Sequence, residues 1–222
     1  MILAAGRGER MRPLTDHIPK PLVEVAGVPL IEHHLGKLAA AGLKHVVINH
    51  AHLGEKIEQR LGDGRRFGLS IDYSPEHEGA LETAGGIQQA LPLLCKQRDS
   101  FLVINADVFT DYDFAVLLAH DPGNRLAHLV MVDTPAFKAG GDFVLDENGL
   151  LSENGNGRWL TFAGLSLMSR ELFAGLQAGR AALRPLLVAA MQQQRVSAEY
   201  FSGNWEDVGT SERLDALNAR FG

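Results

Sequence analysis

The chain has 222 residues, 45% of them hydrophobic, and a formal net charge of -6. That apolar content is enough for a substantial core, read here as one domain over residues 1–222. The mild acidity without a basic block argues against nucleic acid or an anionic membrane as partner. The apolar runs are too short to cross a bilayer or form a signal peptide, and a lone cysteine, Cys95, cannot close an internal disulfide, so a cytoplasmic protein is expected.

Taken in chain order, β-like runs alternate with helix-like runs. Strands are predicted at Ile2 to Ala5, His45 to Asn49, Leu69 to Tyr73, Phe101 to Asn105 and His128 to Val132. Between them, residues 29–41 place Leu30, Ile31, His34, Leu35 and Leu38 on one helical face, with Gly42 as the stop. Residues 53–61, 83–94 and 113–119 repeat the helical pattern. This alternation predicts an α/β fold, a mostly parallel central sheet with helices on both faces. After Asp133 the glycine- and asparagine-rich turns at 138–142, 146–149 and 154–157 predict a small antiparallel region. The chain then returns through a strand at 161–168, a helix from Ser169, a helix over 185–194, a strand through Tyr200 and Phe201, and a last helix capped by Thr210.

The first strand opens onto Gly6-Arg7-Gly8-Glu9-Arg10. Glycines without a Cβ let backbone N–H groups turn toward an anion, and an arginine adds a forked, charge-assisted donor. The pattern lacks the G-K-[ST] ending of a P-loop and the third glycine of the dinucleotide fingerprint, and a turn this short can also be no more than a tight turn. Pro19-Lys20-Pro21 favours the phosphate-binding reading, because two prolines stiffen the backbone around one lysine. Open parallel sheets bind ligands beyond the carboxyl ends of their strands, where Asn105-Ala106-Asp107 falls. A lone aspartate there can simply cap a turn, but Asp207 in Trp205-Glu206-Asp207-Val208-Gly209 offers a second carboxylate, and two suffice to bridge one Mg²⁺ that also takes water and substrate phosphate. The histidine pairs His33-His34 and His50-x-His52 lack a nearby acidic third ligand and read as packed or solvated side chains, and Trp159 and Trp205 are expected to pack at loop bases.

Leu3-Ala4-Ala5-Gly6-x-Gly8-x-Arg10-Met11, Pro13-Leu14-Thr15, Pro19-Lys20-Pro21, Asn105-Ala106-Asp107 and Trp205-x-Asp207-Val208-Gly209-Thr210 together resemble the sugar-1-phosphate nucleotidyltransferases, in the right order and across nearly the whole chain. The resemblance implies the nucleotide-diphospho-sugar transferase fold and an enzyme that joins a sugar 1-phosphate to a nucleoside triphosphate. It implies Mg²⁺ as cofactor, held by Asp107 and Asp207, and catalytic roles for Arg10 and Lys20. Nucleotide contacts are implied at Ala4, Ala5, Gly6, Gly8, Glu9, Arg10, Lys20, Glu76, Glu82 and Asn105, and sugar contacts at Gly141, Asp142, Glu153 and Thr161.

The segment Leu81-Glu82-Thr83-Ala84-Gly85 resembles the family's base-proximal L-G-T-A-G, with Glu82 in place of the first glycine. Within the family, the compact length, Asn49 to Gly54, Leu81-Glu82-Thr83 and Gly141-Asp142-Phe143 are most similar to the branch that uridylylates N-acetylmuramate 1-phosphate in cell-wall sugar recycling. The mannose-1-phosphate guanylyltransferases are the alternative branch, and a nucleotide-sensing module without turnover is the alternative of a different class.

Overall fold

The computed structural model describes residues 1–76, 80–96 and 98–222. In chain order the strands and helices are β1 (Ile2–Leu3), β2 (Glu24–Val25), β3 (Val28–Pro29), α1 (Leu30–Ala40), β4 (His45–His50), α2 (Gly54–Leu61), β5 (Ser70–Pro75), α3 (Glu82–Leu94), β6 (Ser100–Asn105), β7 (Val108–Thr110) and α4 (Phe114–Ala119). They continue with β8 (Ala127–Val132), β9 (Phe143–Leu145), β10 (Leu151–Ser152), β11 (Arg158–Ser169), α5 (Leu183–Gln192), β12 (Val196–Tyr200), β13 (Trp205–Asp207) and α6 (Ser211–Phe221).

The main sheet has nine strands, in the order β10-β9-β11-β6-β1-β4-β5, with β8 joined to β11 and β12 to β8. Seven of the nine run one way, and β10 and β11 run against them. The predicted α/β architecture is therefore present, and the turn-rich stretch after Asp133 adds its antiparallel strands to the same sheet. The alternation inside the buried strands shows why both faces are covered. Val46 and Ile48 of β4, Leu102 and Ile104 of β6, and Val130 and Val132 of β8 pack on one side with α1, α2 and α4. Val47, Phe101, Val103, Leu129 and Met131 pack on the other side with α3 and α5. Strands buried on both faces read as continuous apolar runs, which is what 101–104 and 129–132 show.

Four local expectations change. The run Ile2 to Ala5 is paired only at Ile2 and Leu3, because Ala4 turns its N–H to the Asn49 side chain. Ser169 caps a single 3-10 turn, Arg170–Phe173, and not a full helix. Trp159, expected to pack at a loop base, is 49% exposed. A strand at Trp205–Asp207 was not anticipated; it pairs antiparallel with β7. Gly42, with φ at +89°, and Thr210, which accepts from the Arg213 N–H at 3.4 Å, act as the stop and cap predicted for them.

The strand order fixes the position of the functional end. From β1 the chain moves to β4 and β5 on one side, then crosses back to β6 on the other, with Ile2 opposite Ile48 in β4 and Ile104 in β6. The carboxyl ends of β1 and β6 therefore flank a switch point, where the diverging helices leave a crevice. His34 of α1 lies behind this region, 2% exposed and without a hydrogen-bond partner for either ring nitrogen among the described residues. Burial pushes its pKa down to about 4, and burial does the same to His128, also to about 4.

Because both imidazoles stay neutral in the native state at pH values where the unfolded chain takes up protons, they cost nothing above about pH 6.5 and remove stability as the pH falls toward 4. Each is expected to cost on the order of 1 to 2 kcal/mol at pH 5. Urea unfolding at pH 7 and pH 5 measures this, and His34→Leu should flatten the loss between the two; an unchanged pH slope in the variant would remove His34 as its source.

Candidate active site

Two long-range backbone pairings assemble the site. Leu3 lies opposite Asn105, and the Ala106 N–H donates to the Leu3 carbonyl at 3.1 Å, so the loop of Gly6 to Arg10 and the stretch 105–107 leave the sheet side by side. Asp207 lies opposite Val108, and the Val208 N–H donates to the Asp107 carbonyl at 2.9 Å. Asp107, just before β7, and Asp207, the last residue of β13, are 100 positions apart in the chain and thus meet at one end of the same ladder. Both line one cavity of about 430 Å³ together with Arg10, Asn105, Thr161 and Lys138.

Each carboxylate is matched to a cation. Asp107 Oδ2 accepts from Lys20 Nζ in a close ion pair, and the lysine side chain is only 10% exposed. Asp207 Oδ2 accepts from Arg213 Nη1 at 3.0 Å, and the same nitrogen donates to the Asp207 backbone carbonyl at 2.9 Å. The Arg213 guanidinium lies 4.0 Å from the Phe137 ring centroid, which fixes it from the other side. Neither Oδ1 takes a hydrogen bond among the described residues, so each aspartate keeps one hard oxygen for a further ligand. Gly209 makes room for the cations: a Cβ there would stand 2.5 Å from Arg213 Nη2 and 3.0 Å from Arg10 Nη2.

Glycine is required in the first loop for a different reason. Gly8 has φ at +67°, and a Cβ there would meet Thr15 Cγ2 at 2.9 Å and Lys20 Cβ at 3.2 Å, so the loop closes on the lysine that Pro19 and Pro21 hold. A Cβ on Gly6 would meet nothing within 4 Å, and Gly6, Glu9 and Arg10 are exposed. The loop is open where a polyanion would approach.

Glu76 is spent inside the protein. It is 4% exposed; Oε1 accepts from Asn49 Nδ2 at 2.7 Å, and Oε2 accepts from the Leu81 N–H at 2.7 Å. Asn49 Oδ1 in turn accepts from the Ala4 N–H at 3.0 Å. One chain of bonds therefore ties the end of β1 to the start of α3, and Gly86 leaves space for it, since a Cβ there would stand 2.5 Å from Glu76 Oε1. Glu82 opens α3 with φ at +59°, the left-handed region that glycine adopts without cost, so the departure from L-G-T-A-G keeps the glycine-like backbone. Its Oε1 accepts from Arg180 Nε at 2.8 Å.

A second cavity of about 480 Å³ abuts the first, sharing Asn105 and Phe162, and is also lined by Glu82, Thr83, Asp142 and Arg184. Asp142 Oδ2 accepts from the Phe162 N–H at 3.0 Å and from Lys138 Nζ at 2.5 Å. Gly141 permits a close backbone approach, because a Cβ there would stand 2.8 Å from the Leu160 N and O, and Glu153 contacts Arg184 at 3.4 Å. Of the four residues expected to contact the sugar, Asp142 lines the second cavity and Thr161, 4% exposed, lines the first, whereas Gly141 and Glu153 line neither. A larger recess of about 920 Å³ lies at the amino ends of the strands around Lys44, His45, Ser70 and Ser100, opposite the end where an open α/β sheet binds its ligands.

The Nucleotidyl transferase family model matches residues 1–137 of this chain. The chain belongs to that family, among its sugar-1-phosphate enzymes. This nucleotidyltransferase is 51% identical to the N-acetylmuramate alpha-1-phosphate uridylyltransferase of Neisseria meningitidis serogroup B, over all of its own length and 97% of that protein's. It is 39% identical to the mannose-1-phosphate guanylyltransferase of Mycobacterium tuberculosis, over 56% of this chain and 34% of that one. A solved structure of a Bacillus anthracis protein assigned as a glucose-1-phosphate thymidylyltransferase superposes with a TM-score of 0.84, covering 99% of this chain and 93% of the other at 21% identity, which establishes a shared fold.

Several residues of this nucleotidyltransferase carry no motif in the sequence: Phe137, Phe162, Gly164, Arg184 and Arg213; Asn49 opened a stretch read for its family likeness but not for a place in the site. Gly164 had a readable signal, being a glycine inside an apolar strand. It has φ at +75° at a register shift in β11, and a Cβ there would stand 2.7 Å from Asn105 Nδ2. The histidines are accounted for by packing: His33 Nε2 lies 3.0 Å from the Val25 carbonyl, and His50 Nε2 lies 2.7 Å from Glu58 Oε1.

Replacing Asn49 by Leu should leave one Glu76 oxygen and the Ala4 N–H without partners. The expected loss is about 1–3 kcal/mol of unfolding free energy, measured by chemical denaturation. A loss well below that range would show that the bridge from β1 to α3 contributes little.

Proposed function

We propose that this chain, acting as a single nucleotidyltransferase domain in the cytoplasm, converts UTP and N-acetylmuramate 1-phosphate to UDP-N-acetylmuramate and pyrophosphate during recycling of cell-wall sugars. The observation that carries the reading is the meeting of Arg10, Asp107 and Asp207 in one cavity, with Lys20 bound to Asp107. Full-length similarity to an N-acetylmuramate alpha-1-phosphate uridylyltransferase supports the choice of substrates.

In this reaction a phosphate oxygen of the sugar 1-phosphate attacks the α-phosphorus of UTP, a new P–O bond forms, and the bond to pyrophosphate breaks. The nucleophile is already ionised, so the protein needs no general base; it has to hold two polyanions in line and offset charge on the equatorial and leaving oxygens. Arg10, exposed beside Gly209, is placed to bind the triphosphate. Lys20 sits in a stiffened, mostly buried turn, so its ammonium is directed into the site with little rotamer freedom left to lose. Asp107 and Asp207 fit Mg²⁺, because each presents one carboxylate oxygen without a partner among the described residues at the same cavity, and magnesium takes few carboxylates when substrate phosphates and water complete its shell. When bound, the ion supplies charge neutralisation on the phosphates. Arg213 keeps the Asp207 carboxylate oriented for it.

Pyrophosphate release measured with UTP or GTP, each with N-acetylmuramate 1-phosphate or mannose 1-phosphate, should be fastest for the first pairing. Preference for GTP with mannose 1-phosphate would replace this assignment by the guanylyltransferase one. Asp107→Asn should lower kcat by about 10²-fold or more while UTP still binds; equal loss of binding and turnover would favour a nucleotide-sensing role instead. Arg213→Met should weaken Mn²⁺ binding, followed by electron paramagnetic resonance, by about tenfold or more, with partial recovery in Arg213→Lys. Unchanged Mn²⁺ affinity in Arg213→Met would show that Asp207 does not depend on that arginine.

A further inference from the structure

N-acetylmuramate differs from N-acetylglucosamine by a lactyl ether that ends in a carboxylate. A site that selects the acid sugar needs a cation beside the sugar, outside the group that handles the phosphates, and a guanidinium is suited to the task because its two parallel N–H groups match the two carboxylate oxygens. The first cavity commits Arg10 to the phosphate end. The second cavity abuts it through Asn105 and Phe162 and is the space into which a sugar whose phosphate lies by Asp107 can extend.

Arg184, in the first turn of α5, is the one cationic side chain among the described residues that line this second cavity. The acidic residues there are matched elsewhere: Glu82 is paired with Arg180 at 2.8 Å, and Asp142 with Lys138 at 2.5 Å and the Phe162 N–H at 3.0 Å. Arg184 holds only long contacts, Nη1 to the Asp142 backbone carbonyl at 3.3 Å and Nη2 to Glu153 Oε1 at 3.4 Å. Both lie beyond the usual distance for a charge-assisted bond. The guanidinium carbon stands 4.7 Å from the Phe143 ring centroid, so the fork rests against an aromatic face at the cavity wall while its side chain is 53% exposed. An incoming carboxylate therefore finds a positioned guanidinium that gives up little to bind it.

We propose that Arg184 is the specificity-determining residue for the lactyl carboxylate of the sugar, with Phe143 fixing the plane of the fork and Glu153 as the weak partner displaced on binding. The proposal rests on the N-acetylmuramate reading above. It explains how one catalytic frame can prefer an acidic sugar without a change in the residues that hold the phosphates.

The test compares N-acetylmuramate 1-phosphate with N-acetylglucosamine 1-phosphate at saturating UTP in the wild-type enzyme, Arg184→Met and Arg184→Lys. Arg184→Met should lower kcat/KM for the acid sugar by about 10- to 100-fold, mainly through KM, and leave the neutral sugar and the KM for UTP unchanged. Arg184→Lys, which keeps the charge and loses the fork, should fall between the two. Because the residue is half-exposed, thermal melting should report a folded protein in both variants. Equal losses for both sugars, or a raised KM for UTP with the acid-to-neutral ratio intact, would overturn the role of Arg184 while leaving the uridylyltransferase reading in place. A wild-type enzyme with no preference for the acid sugar would overturn both.

Discussion

The site depends on a short antiparallel ladder that lies off the main sheet. In it Trp205–Asp207 pair with Val108–Thr110, and the Val208 N–H bonds to the Asp107 carbonyl. Backbone pairing fixes relative position far more tightly than side-chain contact, because each ladder bond constrains two peptide planes. It brings the two carboxylates to the wall of one cavity. Lys20 pairs with the first of them and Arg213 with the second. The indole of Trp205 donates to the Ala163 carbonyl at 2.8 Å and so ties the ladder to the bulge in β11. The positions of Asp107 and Asp207 and one wall of the first cavity are thus set by one small element and the strand beneath it.

A second constraint runs through the amino-terminal half. Asn49 and Glu76 connect the end of β1 to the loop before α3, and both are buried. A buried carboxylate with both oxygens satisfied is a rigid post, and it would be costly if any partner were lost. The start of α3, which carries Glu82 and Thr83, is tied to the end of β1 by this post. Glu82 tolerates a left-handed backbone there, a strain of about 1–3 kcal/mol that such surroundings have to over-determine.

Much of the architecture was legible because burial on two faces leaves a strong signal. The runs 101–104 and 129–132, the amphipathic face of Leu30 to Leu38, and the stop at Gly42 each follow from local chemistry. The pattern was weaker wherever few residues carry it. Trp205–Asp207 is three residues long, half-buried and mixed in character, so no alternation marks it as a strand. The helix expected from Ser169 shortens to one turn because the buried residues Leu172 and Phe173 are followed directly by Ala174 in an extended conformation. At the site, charged residues beside glycines and prolines stood out, whereas Arg184 and Arg213 lie in ordinary helical contexts and had no feature to distinguish them.

The amino-acid sequence by itself determined the α/β class, the order of most elements, and which charged residues and glycines between Gly6 and Asp207 were candidates for the site, because these depend on periodicity, turn chemistry and residue type within short windows. Only the tertiary structure decided that Asp107 and Asp207 are neighbours, that Glu76 is a buried post, and that Arg184 stands at the wall of a second cavity. Those facts arise from pairings between residues about 30 to 100 positions apart, and such pairings are chosen by the global packing of the sheet, which no local pattern encodes.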